Sequence, residues 1–323
     1  MQNNESLSII IPVKNEEENI VPLYDEICKV LKDINFEIIY IDDGSTDNSL
    51  EILQKIYLKD KRVKIVNFKT NYGKSASYTA GFDEASYDLI ATMDGDFQDD
   101  PKDLLMLYQK INEQSADIIV GRKITGKSSF ITFILSNIFN FFIRLVSGLK
   151  IHDLNCPMRI MRSEVAMKLN LYAGLFRYIP IIAKSKGFSV SEYPIGNRER
   201  LYGKSNYSGK KYFKSFFDFI TIYFLTKYSE RPLHVFGTLG MISFFIGFCF
   251  DFFLTIGFVF LDFSIKNNLG ILLFGILLII LGVQLVSTGL LGEMINHDKI
   301  INSSNSRYII KQLFIHTEKK KKI

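Results

Sequence analysis

Apolar and polar positions alternate along the first 120 residues in a way that predicts strands and helices in turn. Short apolar runs are typical of buried strands, and longer stretches with one apolar face are typical of helices. The pattern predicts strands over Leu7–Val13, Glu37–Ile41, Val63–Phe68, Leu89–Met93 and Asp117–Val120. It predicts helices over Glu17–Leu31, Ser49–Leu58, Lys74–Ala85 and Pro101–Asn112, with Asp100 as the N-cap of the last. This alternation indicates an α/β fold with a mostly parallel sheet and helices on both faces.

Two later stretches, Val235–Leu261 and Leu269–Leu291, are apolar almost throughout. Each exceeds the roughly 20 residues that a helix needs to span a bilayer. Because only Asp262–Asn268 separates them, they predict a transmembrane hairpin. Phe130–Leu149 and Lys211–Leu225 each combine a wide apolar face with a narrow polar stripe, which predicts helices lying in the membrane interface. The alternative for these two is a helix packed in the protein core.

Composition and charge agree with membrane contact. The chain has 323 residues, of which 47% are hydrophobic and 28 are Phe, with a formal net charge of +5. Basic residues crowd the approach to the hairpin and the tail, which ends in Lys319–Lys322, so both termini are expected on the cytoplasmic side. This distribution favours membrane lipids over nucleic acid as the partner. The three cysteines lack the spacing of a metal or redox site, which fits a reducing compartment.

Acidic residues follow the fourth predicted strand. Asp94 and Asp96 are two positions apart, so an extended backbone would project both to the same side, with Gln98 close behind. Converging carboxylates need a compensating charge, and Mg²⁺ or Mn²⁺ supplies it in sites that also hold a substrate diphosphate. The alternative is a solvated acidic turn. The first two strands end in further polar clusters, Lys14–Glu16 and Asp42–Ser45, and all three should line one crevice at the carboxyl ends of the strands.

Each of the other motifs has a functional and an ordinary interpretation. Asp42–Ser45 suits nucleotide recognition, but also a tight turn with an N-cap. Gly121–Ser128 matches the phosphate-loop pattern, although the acidic strand comes earlier in the chain than that fold requires. Arg198–Ser205 is either a phosphate clamp or a basic membrane flank. His152-Asp153 and Arg159 lie between the two halves of the chain, where an isolated Asp is as often a helix cap.

Together these residues resemble glycosyltransferase family 2, and within it the polyprenyl-phosphate sugar transferases, over nearly the whole chain. The matching segments are Pro12 with Asn15-Glu16, Asp42–Ser45, Asn71–Lys74, Asp94 with Asp96 and Gln98, Gly121-Arg122, Asp153 with Arg159, and Arg200 with Gly203–Ser205. The resemblance implies the GT-A fold and gives the phosphate-loop match a more ordinary explanation as the Gly-Arg of the family.

The resemblance also implies roles for individual residues. It implies a catalytic role for Asp153, Asp96 and Arg159, and metal binding by Asp94, Asp96 and Gln98. The implied nucleotide-binding residues are Pro12, Asn15, Glu16, Asp42, Asp43, Lys74 and Asp94. Those implied for the acceptor phosphate are Arg122, Arg200, Lys204 and Ser205.

The implied reaction is the inverting, metal-dependent transfer of one sugar from a nucleotide-diphosphate sugar to a polyprenyl phosphate, with undecaprenyl expected. A UDP-sugar is favoured over a GDP-sugar, the cofactor is Mg²⁺ or Mn²⁺, the product serves cell-envelope glycans, and a homo-oligomer is expected. The chain departs from the family at Cys156–Met158, where Gly-Ser-Phe is frequent, and at Asn206, where Lys is common. It has no Trp, which excludes the Gln-x-x-Arg-Trp of processive synthases.

Two other functions are open at this point. One is a membrane-anchored nucleoside triphosphatase that uses Gly121–Ser128. The other is a non-catalytic membrane scaffold, against which the presence of Asp94, Asp96 and Asp153 argues. The expected organisation is a nucleotide-sugar part at 1–126, an acceptor part at 127–231, the hairpin at 232–292 and a basic tail at 293–323. The catalytic part would face the cytoplasm at the plasma (inner) membrane.

Overall fold

The chain folds into two compact units, one formed by Met1–Ile222 together with Ser306–Ile323 and the other by Tyr223–Asn305. The computed structural model describes residues 5–114, 116–123, 149, 151–154, 156–196, 198, 232–260, 268–301 and 310–314. The two predicted interface helices lie outside these residues, except for Leu149, and so do residues 124–128 of the phosphate-loop match.

The first unit is built on one mixed sheet. Its described strands run in the order β7-β5-β6-β4-β1-β2-β3-β8. They are β1 (Leu7–Val13), β2 (Phe36–Asp42), β3 (Val63–Phe68), β4 (Leu89–Thr92), β5 (Ile118–Lys123), β6 (Arg159–Arg162), β7 (Val190–Ile195) and β8 (Ile310–Phe314). The first five agree closely with the strands predicted from the apolar runs.

The sheet is more mixed than the sequence pattern suggested. Among the described strands, β1–β2, β1–β4, β2–β3 and β5–β7 are parallel pairs. Strand β6 lies between β4 and β5 and is antiparallel to both, and β8 is antiparallel to β3. Strand β6 escaped prediction because its four residues begin and end with Arg, and β7 because it carries Ser, Glu and Pro.

Helices connect the strands of this unit and cover the sheet. They are α1 (Ile20–Val30), α2 (Ser49–Lys59), α3 (Lys74–Glu84), α4 (Pro101–Gln114), α5 (Ser163–Lys168) and α6 (Ile179–Ser185), with a 3₁₀ turn at Leu175–Tyr178. The first four match the predicted helices to within about three residues. The Asp100 carboxylate accepts the Lys102 N–H at 2.8 Å, which confirms the predicted N-cap of α4.

The core lies against the neighbouring inner strands β1 and β2. Every residue of β1 and β2 is buried, which is the pattern of strands covered on both faces. Helix α3 approaches β1 closely at Gly81, where an added Cβ would stand 2.4 Å from Ile10 Cγ2. This contact brings the first turn of α3, which begins at Lys74, next to the carboxyl ends of β1 and β4.

The second unit is an antiparallel helical hairpin. Helices α7 (Pro232–Phe260) and α8 (Leu269–Ile301) are each long and apolar enough to cross a membrane. Glycines let them approach, since a Cβ on Gly240 would stand 2.6 Å from the Gly282 carbonyl oxygen and one on Gly247 would stand 2.5 Å from that of Gly275. Small residues at such seams are typical of helix pairs in lipid. The two spans predicted from the sequence are therefore present as helices.

The tail after the hairpin contributes to the first unit. Strand β8 pairs with β3, although the sequence indicated only a basic tail here. The chain thus leaves the sheet-containing unit for the hairpin and returns to it afterwards.

Gly81→Ala tests the close packing of α3 on β1. In a typical helix interior this change stabilises by about 1 kcal/mol, because Ala has the better helix propensity. Here the added methyl group would clash with the buried Ile10, so we expect the substitution to destabilise the protein instead. The free energy of unfolding should fall by about 1–3 kcal/mol.

Thermal unfolding of the purified protein in detergent measures the effect. Asn112→Ala, on the exposed face of α4, is the control and should change stability by less than about 0.5 kcal/mol. A Gly81→Ala protein more stable than wild type would contradict the packing.

Candidate active site

The loops that follow β1, β2 and β4 lie side by side at one edge of the sheet. The three strands are neighbours and parallel, so their carboxyl ends point the same way. A Cβ added to Gly95 would stand 3.1 Å from the Pro12 carbonyl oxygen, which shows how closely the ends of β4 and β1 approach. The three strand-end clusters therefore lie at one edge of the sheet, as the sequence predicted.

Side-chain to backbone hydrogen bonds join the first two of these loops. Asn15, with a positive φ of 55°, accepts the Thr46 N–H at 2.8 Å through its Oδ1 atom, and its own N–H donates to Ser45 Oγ at 3.0 Å. The Glu16 N–H donates to Ser49 Oγ at 2.9 Å. Asp42 Oδ1 accepts the Ser45 N–H at 3.0 Å. The residues predicted to bind the nucleotide therefore also hold the two loops together.

Asp43 fixes the loop in front of α3. Its carboxylate accepts the N–H groups of Tyr72 at 2.6 Å and Gly73 at 3.0 Å. Burial raises the pKa of Asp43, while the two backbone N–H groups oppose that shift. Its neighbour Gly44 has a φ of +71°, and a Cβ there would stand 2.8 Å from the Thr70 carbonyl carbon. Contact of Asp43 with a nucleotide remains a prediction, beside this structural role.

The acidic motif after β4 holds a partly compensated charge. Asp94 Oδ2 lies 2.6 Å from Lys74 Nζ, whereas Asp94 Oδ1 is buried and has no hydrogen-bond partner among the described residues. Burial alone would lower the pKa of Lys74, but the charge of Asp94 raises it overall. Asp96 is 8% exposed and its Oδ1 accepts the Gln98 N–H at 3.2 Å. Phe97, which lies between Asp96 and Gln98, has a φ of 62°, a strained conformation of the kind found at functional sites.

These residues fit a divalent metal that also binds substrate. In the described part of the chain, no three His, Cys, Asp or Glu side chains form a group that could hold a metal by themselves. Mg²⁺ and Mn²⁺ bound with a diphosphate need only one or two protein carboxylates, because phosphate oxygens and water complete the shell. The buried Asp94 Oδ1 atom, which has no hydrogen-bond partner among the described residues, could serve as such a ligand, and Asp96 and Gln98 could add further oxygens.

Asp99 is a site residue that sequence reasoning missed. It is fully buried, its Oδ2 accepts the Asp94 N–H at 3.1 Å, and its Oδ1 lies 2.8 Å from Lys123 Nζ. Burial raises the pKa of Asp99, the charge of Asp94 raises it further, and Lys123 opposes both. The signal in the sequence is the acidic pair Asp99-Asp100, in which the N-cap of α4 accounts for Asp100 and leaves Asp99 without a role.

Arg122 and Asp153, assigned to the acceptor phosphate and to catalysis, are brought together by a third residue. Arg122 lies in β5 and Asp153 in the segment before β6. Glu192 of β7, which the sequence did not single out, contacts both: its Oε1 accepts the Asp153 N–H at 2.9 Å and its Oε2 lies 3.9 Å from Arg122 Nη1.

Arg159 lies in the interior rather than at the surface of the crevice. It is 1% exposed and donates to the carbonyl oxygens of Phe176 at 2.9 Å and Leu154 at 3.2 Å. Ser75, in the first turn of α3, holds the same segment by accepting the Phe176 N–H at 3.3 Å and donating to the Ala173 carbonyl at 2.9 Å. The contacts of Arg159 thus hold Leu154, which precedes β6, and Phe176, which follows it. Its predicted part in catalysis remains a prediction.

The basic loop begins beside the acidic motif. Arg200, Lys204 and Ser205 lie outside the described residues, but Arg198 is described. Its N–H donates to the Gln98 carbonyl at 3.2 Å, and its guanidinium bonds to Glu26 at 2.7 Å and to Asp100 at 3.0 Å. It also lies 5.4 Å from the centre of the Phe97 ring. Arg198 is therefore an anchor that starts the loop next to the Asp94–Gln98 motif.

Known proteins with similar sequences identify the family of this chain. The model of the family described as Glycosyl transferase family 2 matches residues 8–169. The dodecaprenyl-phosphate galacturonate synthase of Rhizobium johnstonii is 31% identical over 95% of this chain and 93% of its own length. The undecaprenyl-phosphate 4-deoxy-4-formamido-L-arabinose transferase of Proteus mirabilis is 28% identical over the same shares of the two chains.

The fold has solved relatives as well. Glucosyl-3-phosphoglycerate synthase from Mycobacterium tuberculosis, in complex with Mn²⁺ and UDP-glucose, superposes with a TM-score of 0.54 at 16% identity. The match covers 68% of this chain and 79% of that one. At this identity the likeness shows the fold alone, and it confirms the GT-A class that the sequence motifs implied.

Arg198→Ala tests the anchor at the start of the basic loop. The side chain is only 27% exposed and makes several charge-assisted hydrogen bonds, so its loss should lower the free energy of unfolding by about 1–3 kcal/mol. Proteolysis near residue 198 should become faster. Arg198→Lys should restore only part of the stability, because an ammonium cannot bond in a fork to Glu26.

The control is Lys55→Ala, which removes an exposed ion pair with Glu51 and should have little effect. Thermal unfolding and limited proteolysis report the two outcomes. An Arg198→Ala protein as stable and as resistant as wild type would show that the loop is anchored elsewhere.

Proposed function

Since this chain belongs to glycosyltransferase family 2, we propose that it transfers a single sugar from a nucleotide-diphosphate sugar to a polyprenyl phosphate. One observation carries the proposal. The edge where β1, β2 and β4 end holds Asp96 and an Asp94 carboxylate oxygen without a hydrogen-bond partner among the described residues, next to Lys74. Relatives named as polyprenyl-phosphate sugar transferases align along almost the whole chain, including the hairpin. Undecaprenyl phosphate is the acceptor that we favour.

The donor would lie along the crevice with its nucleoside near β1 and β2. Asn15, Glu16, Asp42 and Asp43 would surround the base and ribose, and Pro12 would form the floor at the end of β1. Lys74 would contact the diphosphate, because its ammonium group already lies beside Asp94. We propose a UDP-sugar rather than a GDP-sugar, following the ligand named for the fold relative from M. tuberculosis.

Asp94, Asp96 and Gln98 would hold a divalent cation, Mg²⁺ or Mn²⁺, beside the diphosphate. When bound, such an ion neutralises the charge that develops on the leaving nucleoside diphosphate. The chain itself keeps the carboxylates in place. Asp99 fixes the Asp94 backbone, and the Gln98 N–H orients Asp96.

Transfer would proceed by direct displacement with inversion at the anomeric carbon. An oxygen of the acceptor phosphate forms the new bond to that carbon, the bond to the diphosphate breaks, and the nucleoside diphosphate leaves with the electron pair. An ionised phosphate is already nucleophilic near neutral pH, so Asp153 would orient the acceptor and take any proton it still carries. Arg122, Arg200 and Lys204 would separate the two anions directly, and the buried Arg159 would add its positive charge from the interior. Ser205 would be a further donor to the acceptor phosphate.

The hairpin suits an acceptor that stays in lipid. Helices α7 and α8 would anchor the enzyme in the plasma (inner) membrane while the polyprenyl chain remains among the acyl chains and its phosphate enters the crevice. We propose that both termini and the catalytic unit face the cytoplasm. The pairing of β8 with β3 supports placing both termini on the same side of the membrane, since the tail rejoins the sheet after the two helices.

The chain's organisation would follow from these roles. We propose a nucleotide-sugar part at 1–126, an acceptor part at 127–231 and a hairpin at 232–292. The tail at 293–323 would lie on the cytoplasmic side, and the protein would act as a homo-oligomer. Its product would serve cell-envelope glycan synthesis or modification.

Asp96→Asn tests the metal-diphosphate site. Removing a carboxylate charge should reduce transfer of radiolabelled sugar into organic-extractable lipid by at least about 10²-fold. EDTA should abolish transfer by the wild-type protein, and Mg²⁺ or Mn²⁺ should restore it.

The matched control is Asp33→Asn. Asp33 is exposed in the turn before β2, at the opposite edge of the sheet from the acidic motif. This variant should transfer sugar at the wild-type rate. Full activity in EDTA would refute the metal assignment. The absence of any lipid-linked product across a panel of UDP- and GDP-sugars would refute the proposed function.

Arg200→Ala tests the division of the crevice between donor and acceptor. Loss of one charge-assisted contact to the acceptor phosphate should cost about 1.5–3 kcal/mol, which raises the apparent KM for polyprenyl phosphate roughly 10- to 150-fold. The affinity for the nucleoside diphosphate, measured by calorimetry, should stay unchanged.

Lys61→Ala, at an exposed basic position between α2 and β3, controls for the loss of one positive charge. A fall in donor affinity with an unchanged acceptor KM would place the basic loop at the donor instead.

A further inference from the structure

Glu192 is a nearly buried acid with no place in the proposed chemistry. It lies in β7, opposite Val120 of the neighbouring strand β5, and only 10% of its side chain is exposed. A carboxylate that is removed from water needs hydrogen-bond donors or a counter-charge. The hydrogen-bond donors and charges around the Glu192 carboxylate therefore indicate its role.

Both oxygens of Glu192 contact the segment that carries Asp153. Oε1 accepts two successive backbone N–H groups, from His152 at 2.8 Å and from Asp153 at 2.9 Å. Oε2 lies 2.8 Å from His152 Nδ1 and 3.9 Å from Arg122 Nη1. One side chain thus touches two separate parts of the chain, since His152 is 40 positions from Glu192 and 30 positions from Arg122.

The frame around Glu192 leaves little freedom for movement. A Cβ added to Gly121 would stand 2.6 Å from Ile195 Cδ1 and 3.1 Å from Cys156 Sγ. Strands β5 and β7 and the residues before β6 are therefore packed as closely as a glycine allows. Within this frame, two hydrogen bonds to one carboxylate oxygen restrict the backbone at His152 and Asp153, from which the Asp153 side chain projects.

We propose that Glu192 is the positioning residue of the reaction centre. It sets the place and direction of Asp153 through the two backbone N–H groups, and it keeps Arg122 and His152 beside the same point. The inference rests on the proposed function in so far as Asp153 and Arg122 act on the acceptor phosphate. A displacement of about 1 Å at such a group can reduce a reaction rate on the order of 10²-fold, so an indirect residue can control the rate.

Glu192→Ala and Glu192→Gln separate positioning from charge. The Gln side chain has the same shape and keeps an oxygen that can accept both N–H groups, whereas Ala removes every contact. We expect Glu192→Ala to lower kcat on the order of 10²-fold and Glu192→Gln to stay within about tenfold of wild type. The KM for the nucleotide-sugar and the Kd of the nucleoside diphosphate should change by less than about threefold in both.

Amide hydrogen exchange of the peptide that contains residues 151–154 supplies a readout besides activity. Exchange at His152 and Asp153 should become faster in Glu192→Ala and remain slow in Glu192→Gln, because only the first variant loses the acceptor. Glu164→Gln is the control, since Glu164 is an exposed acid in α5 and should leave both kinetics and exchange unchanged.

The outcomes distinguish this inference from the proposed function. Glu192→Ala with a kcat within twofold of wild type, or with unchanged exchange at 152–153, would overturn positioning. So would a Glu192→Gln protein that keeps slow exchange but is as inactive as Glu192→Ala. A wild-type protein that forms no lipid-linked sugar would refute the proposed function, while the exchange comparison would still decide whether Glu192 fixes these residues.

Discussion

Negative charge concentrated at one edge of the sheet is the constraint on which the site depends. Asp42, Asp43, Asp96 and Asp99 are all buried there, and Asp94 is nearly so. Each needs a compensating group, because burial penalises an ionised carboxylate. Asp94 has Lys74 and Asp99 has Lys123, whereas Asp43 relies on backbone N–H groups. Asp94 Oδ1, which has no hydrogen-bond partner among the described residues, is the atom at which the proposed divalent cation would bind.

The same compensation organises the loops. Several polar side chains at the edge bond to a segment that is distant in sequence, as Asn15 does to Thr46 and Asp43 to Gly73. Ser75 and Arg159 extend this pattern to the residues around Phe176, and Arg198 extends it to the start of the basic loop. Groups that would contact the donor are therefore held before the donor arrives. Such preorganisation is what lets fixed dipoles and charges stabilise a transition state at little further cost.

The membrane part follows a different physical rule. Lipid offers no hydrophobic drive for two apolar helices to associate, so close approach depends on small residues such as Gly240, Gly247 and Gly282. The hairpin is continuous with the sheet-containing unit at both of its ends, because the tail returns as β8. An acceptor with a lipid tail and a charged head suits a protein whose sheet-containing unit is joined by the chain to two apolar helices.

The sequence by itself determined the parallel half of the sheet, the two long apolar helices and the acidic motif. Apolar periodicity reports burial directly. The shared side expected for the Asp94 and Asp96 carboxylates stays a prediction, because β4 ends at Thr92 and the backbone bends over residues 95–97. Tertiary structure alone decided where β6, β7 and β8 pair, that Asp99 lies under Asp94, that Arg159 is buried, and that Glu192 holds Asp153. Several of these facts depend on contacts between residues far apart in the sequence, such as Asp153 and Glu192, 39 positions apart. The short polar strands that create such contacts have no periodicity to reveal their partners.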